Sequence, residues 1–417
     1  MNIWFFNHYA IPPWFFPLAR PYNFAKYLIK KGHNVTVFAA STVHNSNLNL
    51  IKGNEKFSKE IIDNINYVYL RTSNYVGNGK SRIINMLQYT LGLFTVTRKI
   101  SSPDVIIATS VHPLACFAGI KIAKKYNCRC IVEIADLWPL TLIEFGLLKH
   151  NSIMAKALYQ LEHWIYKNAD SIIFTMEGGK DYVAEKYYGK KKIDLNHIYY
   201  INNGIDLDIY NNQKIKNVYK DLDLDDDNFF KVLYTGSLGK ANYVNYIVET
   251  AKIIQDRGYK NIKFIIFGTG YMNEELESYC IDNSLRNVVF KGKVDKKSIP
   301  NILSKSSLNI FTGEQIGLYK YGLSLNKMFD YMASGKPTIS NIKCGYDNLE
   351  KFQCGITVEG GSAETLAEGV LKFYNMSSDE YGKYCTSALN AAKEFDFAKL
   401  TDQLENIIIN AVQRGVA

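Results

Sequence analysis

Along most of the chain, short uninterrupted apolar runs alternate with longer stretches in which apolar residues return every three or four positions. The first run, at residues 3 to 6, leads into a Pro- and aromatic-rich loop (IPPWFFPLARPY), then the helical stretch YNFAKYLIKKG and the strand NVTVFAAS. Continuous runs rich in β-branched side chains suit strands buried on both faces, as parallel sheets require, whereas a three-to-four spacing marks one buried helix face. The unit recurs as DVIIATS, a helix over 113–126 and CIVEIAD, and again as SIIFTM, a helix and HIYYINNG. Such alternation predicts a doubly wound parallel sheet.

After Asn203-Gly204 the pattern lapses into a polar stretch ending in DLDLDDDN, which reads as a linker and places a domain boundary nearby. The rhythm then restarts: KVLYTGSLG, a helix near 242–257, KFIIFGTG, a helix at 272–283, NVVFKG, a helix near 298–304, LNIFTG, a helix at 325–334, PTIS and GITV. The expected fold is α/β, with two Rossmann-like domains and a cleft between them. Residues 1–205 form the first domain and 206–395 the second, while a final helix in 396–417 crosses back to the first.

At 417 residues the chain exceeds what one hydrophobic core serves, which supports two domains. The seven cysteines are odd in number and contain no CxxC pair, so they read as reduced thiols rather than zinc ligands. The N-terminus has no basic segment of a signal peptide, and no apolar run reaches the ~18 residues of a membrane span, so a cytoplasmic protein is expected. The net charge of +9 is uneven: residues 1–205 hold 24 Lys/Arg against 13 Asp/Glu. These cations are scattered rather than clustered, which favours phosphates or an anionic lipid surface over nucleic acid, with plain solubility an equal alternative. INMLQYTLGLFTVTRKI, at 84–100, has an apolar face flanked by Lys80, Arg82, Arg98 and Lys99. It fits either an interfacial helix or an ordinary buried one.

Candidate chemistry gathers in the second half. Glycine turns after strands bring backbone N–H groups and helix N-termini to phosphate. Gly236-Ser237-Leu238-Gly239-Lys240 and Gly268-Thr269-Gly270 are such turns. In YGLSLNKMFDYMASGKP, Ser324 suits an N-cap, and Lys327 and Asp330 share a face at the helix start. A cation there attracts a diphosphate and a carboxylate accepts from vicinal ribose hydroxyls, although an i, i+3 salt bridge explains the pair equally well.

With these motifs, ARPYNFAKYLIKKGHNVTV, PDVIIATSVHP, EIADLWP, NADSIIFTMEGG, INNGIDLDIY, YTGSLGKANYV, FGTGYMNEEL, NVVFKGKV and GLSLNKMFDYMASGKP, nearly the whole chain resembles the family-4 glycosyltransferases, in particular bacterial O-antigen and capsule enzymes similar to L-fucosamine transferases. The resemblance implies a GT-B fold and a retaining, metal-independent transfer from a nucleoside-diphosphate sugar, UDP-linked and N-acetylated sugars being the expected type. It implies no cofactor. Gly236, Ser237, Gly239, Lys240, Gly268, Gly270, Ser324, Asn326, Lys327 and Asp330 are then the donor-binding set, with Lys293 and Val294 beside the base. Lys240 and Lys327 contact the diphosphate, His112 lies near the transferred sugar, and Asp136 faces the acceptor. The acceptor it implies is a lipid-linked saccharide at the anionic inner face of the cytoplasmic membrane.

The chain departs from the family at three places. Paired glutamates eight positions apart are here Gly322 and Asp330, leaving Glu314 as a possible substitute sugar contact. The arginine of the first phosphate turn is missing around Ser237, and WFFPLA replaces a glycine pair. A GT-B nucleotide-sugar epimerase and a non-catalytic sugar-nucleotide-binding module remain as alternatives.

Overall fold

The computed structural model describes residues 1–12, 20–44, 46–77, 79–187 and 193–414. The WFFPLA segment lies outside the described residues. The chain divides into two compact units, Met1–Asn202 with Phe397–Ala417, and Asn203–Asp396.

The first unit is built on an eight-stranded sheet of β1 (Asn2–Phe6), β2 (Asn34–Ala40), β3 (Phe57–Ile62), β4 (Ile65–Leu70), β5 (Val105–Thr109), β6 (Arg129–Ile134), β7 (Ser171–Phe174) and β8 (Ile198–Tyr200). Their order is β3-β4-β2-β1-β5-β6-β7-β8. All neighbours are parallel except β3 and β4, an antiparallel hairpin that the expected all-parallel sheet did not include. Its turn residues Asp63 and Asn64 both have positive φ (49° and 64°), the twist that short hairpins favour, and the outer strand exposes Lys59, Glu60 and Ile61. Helices α1 (Arg20–Lys30), α2 (Lys80–Val96), α3 (Pro113–Tyr126), α4 (Leu140–Glu144), α5 (Ile153–Asn168) and α6 (Gly179–Tyr187) accompany it. Alternation along β1 sends Ile3 and Phe5 into a core shared with Phe24 and Leu28 of α1 and with Phe397, Leu400, Leu404 and Ile408 of the last helix, Phe397–Gln413. Trp4 and Phe6 point the other way, against Phe38, and Trp4 also meets Tyr126. Each such side chain removed from water contributes about 1.5–3 kcal/mol.

Helix α2 starts earlier than the hydrophobic run suggested and ends in a 3-10 turn at Thr97–Lys99. Neither sequence reading describes it alone. Met86, Tyr89, Leu93 and Val96 are buried, while Ile83, Ile84, Leu87 and Leu91 are exposed.

The second unit carries β9 (Phe230–Thr235), β10 (Ile262–Phe267), β11 (Val288–Gly292), β12 (Leu308–Phe311), β13 (Thr338–Ser340) and β14 (Gly355–Thr357). The sheet is entirely parallel, in the order β11-β10-β9-β12-β13-β14. Its helices are α7 (Leu207–Lys216), α8 (Leu222–Asp225), α9 (Asn245–Asp256), α10 (Asn273–Asp282), α11 (Ile299–Ser304), α12 (Asn326–Ala333), α13 (Asn348–Lys351), α14 (Ala363–Tyr374) and α15 (Ser378–Glu394). The acidic stretch is not a solvated linker. It forms α8, buries Leu224, and pairs Asp221 and Asp223 with Lys291 (2.7 and 2.6 Å), Asp223 with Lys263 (2.8 Å) and Asp225 with Lys305 (2.5 Å). These lysines hold the Asp223 and Asp225 carboxyls below the usual range by hydrogen bonding. Where the chain enters and leaves this unit, Ile205 N–H donates to the Phe395 carbonyl (2.9 Å). No helix among the described residues is long and apolar enough to cross a membrane.

Candidate active site

In the second unit, β9 and β10 run parallel, so their C-terminal ends deliver the two glycine turns to one sheet edge. The turns are bonded to each other: Gly236 N–H to Phe267 O (3.0 Å), Leu238 N–H to Thr269 O (3.0 Å) and Met272 N–H to Leu238 O (3.1 Å). A β carbon on Gly268 would lie 1.7 Å from the Gly236 carbonyl oxygen, and one on Gly270 2.2 Å from that of Leu238. The neighbouring turn thus demands both glycines, and their identity needs no phosphate to explain it. Gly236 differs, because its missing β carbon would stand 2.9 Å from the ammonium of Lys327.

Lys327 is the second residue of α12. Ser324 is not the cap of this helix. The N-cap is Leu325, without a side-chain hydrogen bond, while the Ser324 hydroxyl accepts from Asn203 N–H (3.3 Å). The first N–H groups of α12 are therefore uncapped by any side chain, beside the exposed Asn326, and present the positive end of the helix. The Lys327 ammonium donates to Asn242 Oδ1 (2.8 Å) and Tyr234 Oη (3.1 Å) and lies 4.4 Å from the centre of the Tyr234 ring. Asn242 in turn donates to Ser237 Oγ (2.9 Å) and Ser237 O (3.1 Å). It ends a short turn closed by Tyr243 at φ 44°, a conformation side chains rarely adopt outside constrained sites. Every partner of the ammonium is neutral. Burial without a counter-ion lowers its pKa to about 7, so the charged form is disfavoured until an anion lies beside it.

Asp330 follows one turn later. Among the described residues its carboxylate has no hydrogen-bond or ion-pair partner, so the i, i+3 salt bridge to Lys327 does not form. Burial raises its pKa to about 6, with Lys296 pulling it back. Glu314 is exposed beyond β12, next to Tyr243, whose phenol it pushes up to about 12. Gly322 has φ 103°, so the backbone where a glutamate was sought is one that L side chains avoid. Lys240 is exposed and its ammonium is unbonded; it lines a groove with Glu249 and Glu275 between α9 and α10 rather than joining Lys327. A β carbon on Gly239 would meet Tyr271 at 3.5 Å, an ordinary contact, so this glycine is not demanded by a neighbouring turn. Lys293 is exposed just past β11, while Val294 packs against the core of Leu233, Ile265 and Phe267.

In the first unit, His112 follows β5 and is the N-cap of α3. It is 1% exposed, neither ring nitrogen has a partner among the described residues, and burial drops its pKa to about 3, so it is a neutral imidazole. Its ring meets edge-on that of His8 (4.9 Å between centres), which lies two residues past β1, stacks on Tyr89 (4.7 Å) and bonds through Nε2 to Asn85 Oδ1 (2.5 Å). Burial, reinforced by His112, holds His8 well below its usual pKa. His44 is lowered to about 4 by burial and by Arg82, which also donates to Tyr9 Oη (3.1 Å). Asp136, past β6, is exposed at its surface but enclosed enough that burial raises its pKa, with Arg82 opposing. Its carboxylate makes no hydrogen bond, so it does not cap the turn before Pro139. His8, Tyr234 and Asn242 are members of these clusters that sequence reasoning did not name, and Arg82 was named there only as a flank of the 84–100 stretch. His8 was findable, since NHY follows its strand as directly as the His112 loop follows β5.

Two family models match the chain: "Glycosyltransferase Family 4" over residues 21–209 and "Glycosyl transferases group 1" over residues 230–376. Together they span most of it, one on each unit. The chain belongs to the family-4 glycosyltransferases. His112 and Asp136 fall in the first match, and Gly236, Lys240, Lys327 and Asp330 in the second. Solved structures agree on the GT-B fold. Sucrose-phosphate synthase from Thermosynechococcus elongatus is 14% identical with a TM-score of 0.71, over 99% of this chain and 100% of that one. The E. coli trehalose-6-phosphate protein bound with UDP-2-fluoro glucose is 11% identical with a TM-score of 0.73, over 98% and 99%. HepE of Anabaena in complex with UDP-glucose is 14% identical with a TM-score of 0.65, over 98% and 100%. No curated protein matches this glycosyltransferase significantly.

Proposed function

We propose that this glycosyltransferase takes a sugar from a UDP-linked donor and passes it, with retention of configuration, to a lipid-linked saccharide acceptor in surface polysaccharide synthesis. The observation that carries the donor half is the Lys327 ammonium, set beside Gly236 at an uncapped helix start and held only by Asn242 and Tyr234. A diphosphate supplies the missing charge, and the unpartnered Asp330 one turn away accepts from ribose hydroxyls. UDP is favoured over GDP by likeness to structures whose bound nucleotides are UDP-sugars.

As the anomeric bond breaks, negative charge gathers on the departing diphosphate. Lys327 and the α12 N–H groups stabilise it, so no divalent ion is required. His112, being neutral, hydrogen-bonds a hydroxyl of the transferred sugar rather than donating a proton. Asp136 orients the acceptor hydroxyl, whose oxygen attacks the face the nucleotide leaves while its proton passes to the departing diphosphate oxygen. The strongly cationic first unit and the exposed apolar stripe of α2 support an acceptor held at an anionic membrane face. Thermal-shift titration with UDP, GDP and ADP tests the donor half. Stabilisation by UDP that disappears in Lys327→Met supports it, and equal response of both proteins to all three nucleotides contradicts it.

A further inference from the structure

A second surface, outside every motif of the sequence reading, has the chemistry of a membrane contact. Between β6 and α5 the chain forms α4 (LTLIE), a one-turn helix with no buried residue. Beyond it Phe145 is 47% exposed, Leu147 69%, Ile153 88% and Met154 61%. A soluble surface rarely groups side chains of this size in the open. The backbone beneath them is nevertheless well bonded. Gly146 N–H donates to Ile143 O (2.9 Å) and Leu147 N–H to Leu142 O (2.8 Å), closing α4, and Ser152 Oγ caps α5 by accepting from Ala155 N–H (3.1 Å). The apolar side chains are thus held outward on a built scaffold, with the exposed Lys149 and Lys156 set among them.

Topology places this surface. It follows the C-terminal end of β6, as Asp136 does, and α2 begins beyond the C-terminal end of β4 in the same parallel set, with α3 packed against both α2 and α5. The α2 stripe and the α4–α5 segment therefore flank the His112 and Asp136 cluster from either side on one rim of the sheet.

We propose that Phe145, Leu147, Ile153 and Met154 insert into the interfacial layer of an anionic bilayer, as a second contact beside the α2 stripe, with Lys149 and Lys156 meeting the phosphates. Charge complementarity selects this occupant: the unit that carries the surface has 26 Lys/Arg against 15 Asp/Glu, a net +11. Two apolar contacts on one rim fix its orientation, so that an acceptor hydroxyl emerging from the lipid meets Asp136 without the enzyme leaving the surface. That purpose rests on the functional reading above; the membrane contact itself does not.

The test is flotation of the full chain with phosphatidylcholine vesicles, with and without phosphatidylglycerol, comparing wild type, Leu147→Asp with Ile153→Asp, Leu87→Asp with Leu91→Asp, and Lys149→Gln with Lys156→Gln. All six positions lie outside the donor and histidine clusters, and near-ultraviolet circular dichroism checks that each variant is folded. The wild type is expected to float with the anionic vesicles. The Leu147/Ile153 variant should bind about tenfold more weakly or worse. Each lysine removed should weaken binding roughly fivefold on anionic vesicles and leave neutral ones unaffected. Undiminished binding by the Leu147/Ile153 variant, alongside loss in the Leu87/Leu91 variant, would assign the contact to α2 alone and overturn the proposal. A wild type that ignores vesicles but dimerises through Leu147 and Ile153 in sedimentation would also overturn it, making the surface an interface between copies. UDP stabilisation, measured on the same preparations, reports separately on the functional reading.

Discussion

Replacing Lys327 with methionine keeps the stem of the side chain and removes the charge. Burial holds the ammonium near a pKa of about 7 against an ordinary 10.5, a difference equivalent to about 5 kcal/mol against the charged form. Solvent that still reaches the side chain, and the two hydrogen bonds to Asn242 and Tyr234 lost on substitution, offset most of this, leaving about 1–2 kcal/mol. The sign follows from proton counting. Between pH 7 and 10.5 the unfolded chain holds a proton that the folded one has released, so stability rises with pH across that window, and below pH 7 the penalty is complete. The nucleotide-free variant should therefore melt higher than wild type, by about 2–4 °C per kcal/mol, at pH 6, with the gain fading toward pH 10. Binding should move the other way. Losing charge-assisted hydrogen bonds to a diphosphate, about 2–3 kcal/mol, weakens UDP roughly 50-fold. Calorimetry of melting at pH 6 and pH 9, with UDP titrations on the same protein, measures both. A variant less stable than wild type at pH 6, or one that binds UDP unchanged, would refute the reasoning.

Other positions give independent checks. Asp330→Asn should raise the melting temperature of the nucleotide-free protein at neutral pH and leave it unchanged near pH 3, since a carboxyl raised to about 6 by burial loses stability as pH climbs from 3.8 through 6; it should also weaken UDP binding. Gly268→Ala, whose new carbon would overlap the Gly236 carbonyl, should lose more than about 3 kcal/mol or fail to yield soluble protein, whereas Gly239→Ala, with only Tyr271 at 3.5 Å, should stay within about 1 kcal/mol in urea unfolding. Glu162 is buried and accepts hydrogen bonds from Tyr166, Tyr182 and Tyr187, so Glu162→Ala strands three phenols and should destabilise the first unit by about 3–5 kcal/mol, read by thermal melting.

Strands such as DVIIATS and KFIIFGTG were readable because a strand covered on both faces needs an unbroken apolar run. The β3–β4 hairpin was not, because β3 is an edge strand whose SKE segment faces solvent and carries a loop-like composition. The DLDLDDDN stretch misled for a different reason. Its counter-charges, Lys263, Lys291 and Lys305, lie far along the chain, and only folding brings them to Asp221, Asp223 and Asp225. The same limit applies to the site. Lys327 and Gly236 were legible from residue type and helix position, but Asn242 and Tyr234, which hold the ammonium, are tertiary partners. Gly268 and Gly270 show the converse: a glycine required by a neighbouring backbone looks in sequence like one required by a phosphate. Ser324 looked like a cap because serine before a helix usually is one, yet its hydroxyl is engaged by Asn203.

Sugar transfer itself tests the central claim most directly. The purified protein, incubated in EDTA with a panel of UDP-sugars, should release UDP only when a bacterial membrane lipid extract is added, and the lipid product should keep the donor's anomeric configuration by NMR, with Lys327→Met inactive. Isomerised sugar without any acceptor, or no UDP release with any sugar and extract, would contradict the account.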